Sequence, residues 1–203
     1  MLLAIDSATE ACSAALLGDD GALLDQRHEI VGRGHAERLV PMVAELIGRR
    51  RARAILVDCG PGSFTGIRVG LAAAHGLAIA WKVPLSGYCS LAALAAAADR
   101  GPDEEITAAL KAGHGEIFVQ SFGGDPLAPL DDLRSLPPDQ AAAAAGTRRI
   151  VGSGAEPLAA ARGGGSWLDV LPRAADAGLL PAALRSLPAR PIYGRPPDAR
   201  PIG

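Results

Sequence analysis

The stretch Ala54–Trp81, AILVDCGPGSFTGIRVGLAAAHGLAIAW, decides how this 203-residue chain is read. Ala54 to Asp58 is a short apolar run, the pattern of a buried strand. Cys59-Gly60-Pro61-Gly62 then turns the chain sharply, and Ser63 or Thr65 offers a side-chain oxygen to cap the helix that follows. From there to Trp81 the chain holds no proline and no acidic residue. Gly66, Gly70, Ala73, Ala74 and Leu77 recur at spacings of three and four, so one helix face is nearly bare. An interior glycine costs about 0.5–1 kcal/mol relative to alanine. Gly66, Gly70 and Gly76 therefore require a close neighbour in return, which is the protein's own sheet, a partner's helix or a ligand.

The totals narrow the classes. The length fits one large or two small domains with a real core. Hydrophobic residues at 49% and charged ones at 21% are ordinary for a soluble globular protein, and aromatics at 3% leave the core to Ala, Leu, Val and Ile. A net charge of −2 gives no global attraction to nucleic acid, so an RNA contact has to be local or come through a partner. Cys12, Cys59 and Cys89 show no CxxC spacing, and the opening MLLAIDSATE has no basic region before its apolar residues. Both features predict a cytoplasmic protein without a signal peptide. The low-charge run Ile67–Trp81 reads as too short to span a bilayer.

Along the chain, strands are expected at Leu2–Asp6, Ala11–Leu17 and Ala22–His28, joined by tight turns into an antiparallel meander. A helix is expected over His35–Arg50, with Ala36, Leu39, Val40, Val43, Leu46 and Ile47 on its apolar face, a kink at Pro41 and a solvated arginine cluster at Arg49, Arg50, Arg51 and Arg53. Val83–Tyr88 reads as a strand and Ser90–Ala98 as an alanine-rich helix, ended by a boundary at Asp99-Arg100-Gly101-Pro102. Beyond it, Glu105–Leu110 and Glu116–Phe122 read as a hairpin, 123–138 as proline-rich loop, and Asp139–Ala145, Glu156–Arg162 and Ala174–Arg185 as helices, the last interrupted near Pro181. A short strand falls at Arg149–Gly152, and the tail from Pro188 reads as extended.

Catalytic patterns are scarce. The glycines of Gly60–Gly66 are spaced G-x-G-x-x-x-G, and no Asp or Glu lies between Cys59 and Ala98 to hold a ribose, so the dinucleotide reading fails. Ile67 and Arg68 follow Gly66 where a P-loop needs lysine. Arg68 is expected to pair with Asp58. His28, His35, His75 and His114 never take zinc-site spacing, and Ser63 lies outside a G-x-S-x-G elbow. The strand-end Asp6 followed by Ser7 and Thr9 resembles a first phosphate loop, with Ala8 where that pattern wants glycine.

GPGSFTGIRVG, residues 60–70, resembles the signature of the TsaB/YeaZ family. His35-Ala36-Glu37-Arg38-Leu39-Val40-Pro41 is similar to that family's HSExLxP helix start, and Ser90–Ala95 to its serine-leucine helix. Pro191-Ile192-Tyr193-Gly194-Arg195 resembles its closing P-x-Y-x-R. Lys111-Ala112-Gly113 and Glu116-Ile117-Phe118 stand where the family has Asp-Ala-Arg and Glu-Val-Tyr, a departure. The resemblance implies an α/β fold of the actin/Hsp70/sugar-kinase (ASKHA) type, with two βββαβαβα subdomains, 1–100 and 101–203, the second abbreviated and the tail packing back.

The same resemblance implies a non-catalytic scaffold and dimerisation subunit. Its complex makes N6-threonylcarbamoyladenosine at position 37 of tRNAs reading ANN codons. TsaD is the partner, TsaE is recruited, a homodimer can form, and tRNA is reached indirectly. Neither a catalytic residue, a metal nor a cofactor is expected, nor membrane contact, nor peptidase activity despite M22 labels on relatives. The implied partner surface maps to Ala36, Leu39, Val40, Val43 and Ile47 on one helix and to Gly66, Val69, Gly70, Ala73, Ala74 and Leu77 on the next. The alternative is an ATP-dependent small-molecule kinase, which needs a magnesium-bound nucleotide near Asp6 and Thr9.

Overall fold

The computed structural model describes residues 1–101, 103–146 and 148–194. β1 (Leu2–Asp6), β2 (Ala11–Leu17) and β3 (Leu23–Ile30) form the antiparallel meander that the turn residues predict. After α1 (His35–Ile47), β4 (Ala54–Asp58) joins β1 in parallel. After α2 (Phe64–Trp81), β5 (Leu85–Tyr88) joins β4 in parallel, giving the order β3-β2-β1-β4-β5. All seven residues of β2 are buried, because α1 packs on the strand and a 3-10 turn at Ala174–Leu179 packs on it too. A strand covered on both faces loses the alternation of a half-exposed one.

A second sheet is built from β6 (Ile106–Lys111), β7 (Ile117–Gly123), β8 (Ala128–Pro129), β9 (Arg134–Leu136), β10 (Arg149–Val151) and β11 (Trp167–Leu168). Its order is β11-β10-β6-β7-β8, with β9 also on β7. β6 and β7 make the expected hairpin. α4 (Pro138–Ala145) and α5 (Ala155–Arg162) share a core cluster with residues of β6, β7 and β10. Between the two sheets lies α3 (Ser90–Ala97), whose residues from Ser90 to Ala95 are all buried. Its apolar surface all round is what a helix walled in on every side requires. Leu91 and Leu94 share one core with Leu17 and Leu56 of the first sheet and Leu110 and Phe122 of the second.

Several expectations are corrected. The 123–138 segment holds β8 and β9, two strands too short for alternation to show. Residues 174–185 form two 3-10 turns, Ala174–Leu179 and Ala182–Arg185, instead of an α-helix. Pro181 separates them, and the Gly178 backbone lies so close to Gly21 that a side chain at either would collide with the other's carbonyl. α1 stops at Ile47, because Gly48 turns the chain at φ 54°, and it continues through Pro41, which sits on its exposed face. α2, with 18 residues and mean hydropathy of 1.2, does reach the length and apolarity of a membrane span. A third of it, 33%, is buried, and that part packs in the first sheet's core.

The last described residues form a strap. Leu187 bridges Gly87 beside β5, Ile192 N–H donates to the Cys59 carbonyl at 2.7 Å, and Gly194 lies against the Phe118 ring of the second sheet. Arg195 of the closing motif lies outside the described residues.

Candidate functional site

The β1–β2 turn and the start of α2 are locked together. Ser63 N–H donates to the Ala8 carbonyl at 2.6 Å, and the Ser7 hydroxyl donates to the Gly66 carbonyl at 2.9 Å. Ser63 also caps α2 by accepting from Gly66 N–H at 3.2 Å. Side chains at Gly62 and Gly66 would run into the carbonyls of Ala8 and Ser7. His35, at the start of α1, reaches the Thr9 carbonyl with Nε2 at 2.8 Å and so holds the other side of the turn.

Beneath the turn sits a pair of carboxyls that local sequence reasoning missed. Asp6 and Asp58 end neighbouring strands and are each 1% exposed. Burial and the nearby Asp58 charge push Asp6 far above the usual carboxylate range, and its Oδ2 is buried without a hydrogen-bond partner among the described residues. Burial also raises Asp58, against which the Ser90 hydroxyl at 2.7 and 2.9 Å and Gly60 N–H at 2.8 Å stabilise the ionised form. Burial raises Asp176, on the 3-10 turn over β2, to about 6. The thiols of Cys59 and Cys89 are pushed up to about 12 by burial, which removes them as nucleophiles at neutral pH.

Of the suspected phosphate loop, only Thr9 reaches open space. Ser7 is committed to Gly66, and Asp6 accepts from the Ala8 N–H at 3.0 Å and is sealed from solvent. Thr9, Glu10 and Ser63 line one side of a cleft of about 440 Å³, with Lys111, Gly113 and Ser153 of the second half on the other. Among the described residues, no group of three His, Cys, Asp or Glu side chains is arranged to hold a metal ion.

Comparison with known proteins connects this geometry to a family. Residues 28–125 match the TsaD family, described as tRNA N6-adenosine threonylcarbamoyltransferase. The tRNA threonylcarbamoyladenosine biosynthesis protein TsaB of Escherichia coli (strain K12) is 35% identical over 130 residues, 61% of this chain. That match spans only about half of the relative's length, 55%. The solved structure of YeaZ from Pseudomonas aeruginosa is 30% identical and superposes with a TM-score of 0.75, over 95% of this chain and 98% of that one. The chain belongs to the TsaB/YeaZ family. An inorganic polyphosphate/ATP-glucomannokinase from Arthrobacter, 14% identical with a TM-score of 0.52 over 88% of this chain and 96% of that one, shares the fold alone. The sugar-kinase-like architecture expected for a TsaB/YeaZ protein is thus present.

The surface that the TsaB/YeaZ resemblance gave to a partner divides in two. Leu39, Val43 and Ile47 are buried beneath α1, at 0%, 3% and 5% exposure, and belong to the core. Gly66, Gly70 and Ala74 are buried as well, and a Cβ at Gly70 would lie 2.6 Å from Ser7 Oγ. Of the three neighbours open to these glycines, the one they meet is the protein's own β1–β2 turn. Ala36 and Val40 are exposed, Val69, Ala73 and Leu77 are half-buried, and Gly76 faces open space. Ile79, 77% exposed, lies off the small-residue spacing and was not singled out by it.

The arginines find other roles than expected. Arg68 does not pair with Asp58; its guanidinium lies 3.5 Å from the Phe64 ring centre. Arg50 caps α1 by donating to the Leu46 carbonyl, Arg51 donates to the Trp81 carbonyl, and Arg53 meets Asp19. The strand-end position of Asp58, parallel to Asp6, is the one signal in the sequence that could have revealed the carboxyl pair.

Proposed function

We propose that this chain is a non-catalytic scaffold and dimerisation subunit of the machinery that forms N6-threonylcarbamoyladenosine at position 37 of tRNAs reading ANN codons. It pairs with TsaD, recruits TsaE, and forms homodimers through the same surface, in the cytoplasm. The observation that carries this reading is the apolar outer face of two adjacent helices, with Val40 53% exposed on α1 and Ile79 77% exposed on α2. Gly76 and the exposed Ala36, Ala72 and Ala80 leave that face low enough for another helix to approach. Size-exclusion chromatography with light scattering, alone and with TsaD, tests the proposal. A homodimer that converts to a heterodimer is expected; a monomer indifferent to TsaD would sink it.

A stand-alone kinase is the second reading, favoured by the polar cleft between the halves. Against it, Ser7 is consumed by its bond to the Gly66 carbonyl and Asp6 is sealed from solvent at 1% exposure, where a magnesium nucleotide needs oxygens within reach. ATP hydrolysis by the isolated chain would reverse that preference.

A further inference from the structure

Two stretches of the sequence, 59–98 and 177–197, contain no acidic residue at all. In the fold they meet. The strap from Leu187 to Gly194 runs beside β5 and α2, held by the Gly87–Leu187 bridge, the Ile192 N–H to Cys59 carbonyl bond, and His75 Nε2 at 3.2 Å from the Ala189 carbonyl. Along α2, Phe64, Arg68 and His75 occupy the flank turned to this strap, at i, i+4 and i+11. Val69, Ala73 and Leu77, at i, i+4 and i+8, occupy the opposite flank, so the two sets serve different neighbours.

The strap flank carries a compact aromatic and cationic group. The Phe64 and Tyr193 rings stack with centres 5.3 Å apart, and Arg68 lies on Phe64 and donates from Nε to the Tyr193 hydroxyl at 3.3 Å. Phe64 is 50% exposed and Tyr193 45%, in a chain with only 3% aromatic residues. Exposed Arg190 on the strap and Lys82 at the end of α2 extend the positive character. Among the described residues, none of Arg68, Lys82 and Arg190 makes an ion pair. In a chain of net charge −2, the two segments that build this surface contribute no carboxylate to it.

We propose that this flank is a direct contact for single-stranded RNA. Unstacked nucleobases lie against the exposed Tyr193 ring, which Phe64 and Arg68 back, while Arg68, His75 and Arg190 meet the phosphates. Aromatic rings beside arginine are the chemistry that takes bases without reading their sequence, and neither segment brings a carboxylate to repel the phosphates. The proposal rests on the tRNA-modification reading for which RNA is meant, and adds a direct contact where the family resemblance implied an indirect one.

Fluorescence anisotropy with a labelled tRNA anticodon stem-loop tests it, on the full chain and on its complex with TsaD. Binding is expected to weaken as salt rises. Arg68→Glu and Tyr193→Ala are each expected to weaken it about tenfold, while Tyr193→Phe, which keeps the ring, retains it. Arg134→Glu, the same charge change on the second sheet, is expected to leave it unaltered. Absence of saturable binding, or equal affinity in all four variants, overturns the proposal. So does a lowered Tm of Arg68→Glu with undiminished RNA affinity, because the group would then only clamp the strap. TsaD co-elution, measured on the same proteins, separately decides the scaffold reading.

Discussion

Asp6 and Asp58 end adjacent parallel strands with both carboxyls sealed from solvent, and burial beside the Asp58 charge pushes Asp6 far above the usual carboxylate range. The arrangement is costly when both groups ionise and comfortable when one does not. It gives the fold a definite pH dependence.

Asp6, Asp58 and Asp176 all have folded-state pKa values raised above the unfolded carboxylate value of 3.8. Their favourable contribution is therefore complete below that value and is lost as pH rises through the folded value, about 6 for Asp176. Tm is expected to be higher at pH 5 than at pH 8. For Asp176 the loss is on the order of 2 kcal/mol. Thermal melts across that range check the sign; a Tm that climbs steadily from pH 5 to pH 8 contradicts it.

Asp6→Asn keeps the acceptor for Ala8 N–H while removing the ionisable group. It is expected to raise Tm at pH 8 and to flatten the pH profile, with tRNA modification retained in a complementation assay. Loss of modification with a stable fold would give Asp6 a chemical role.

Ser90→Ala removes the hydroxyl that reaches both oxygens of Asp58 and leaves that carboxylate short of a donor. A loss of about 1.5–3 kcal/mol is expected in urea unfolding. A change well below 1 kcal/mol would mean that Asp58 is neutral in the native state.

The α2 glycines should separate by position. Gly76→Ala meets nothing and is expected to stabilise by about 0.5–1 kcal/mol. Gly66→Ala drives a methyl into the Ser7 carbonyl and is expected to destabilise by about 1–3 kcal/mol. Gly70→Leu is expected to unfold the monomer, so it cannot report on pairing. Equal effects at Gly66 and Gly76 would show that the helix does not sit on the β1–β2 turn.

Val40→Arg and Gly76→Arg place charge on the outer face of α1 and α2 without disturbing the core. Both variants are expected to retain the native melting behaviour and to lose homodimer and TsaD pairing in light scattering. Unchanged association would move the partner surface elsewhere.

Much of the first half was legible because its signals are local. The turns at Ser7–Glu10 and Gly18–Gly21 separate runs that can only be strands, and Ser63 caps α2 through its own neighbour Gly66. Legibility fell away where elements are short, as with β8 and β9, or where a distant contact overrode local preference, as when Gly21 forced a 3-10 turn around Gly178. Of the apolar face read on α1, Ala36 and Val40 lie exposed and Leu39 is buried, and on α2 Gly66 and Gly70 are buried. Apolar and small-residue spacing marks a face for burial without naming what buries it.

By itself the sequence determined the order of strands and helices through Ala97, the β6–β7 hairpin and the need for close packing at α2, since each follows from residues a few positions apart. Only the tertiary structure decided that Gly62 and Gly66 rest on Ala8 and Ser7, that Asp6 and Asp58 are buried at the ends of neighbouring strands, and that two acid-free segments separated by 78 residues form one surface. Those outcomes depend on which distant groups chain folding brings into contact, and periodicity along a chain carries no record of that.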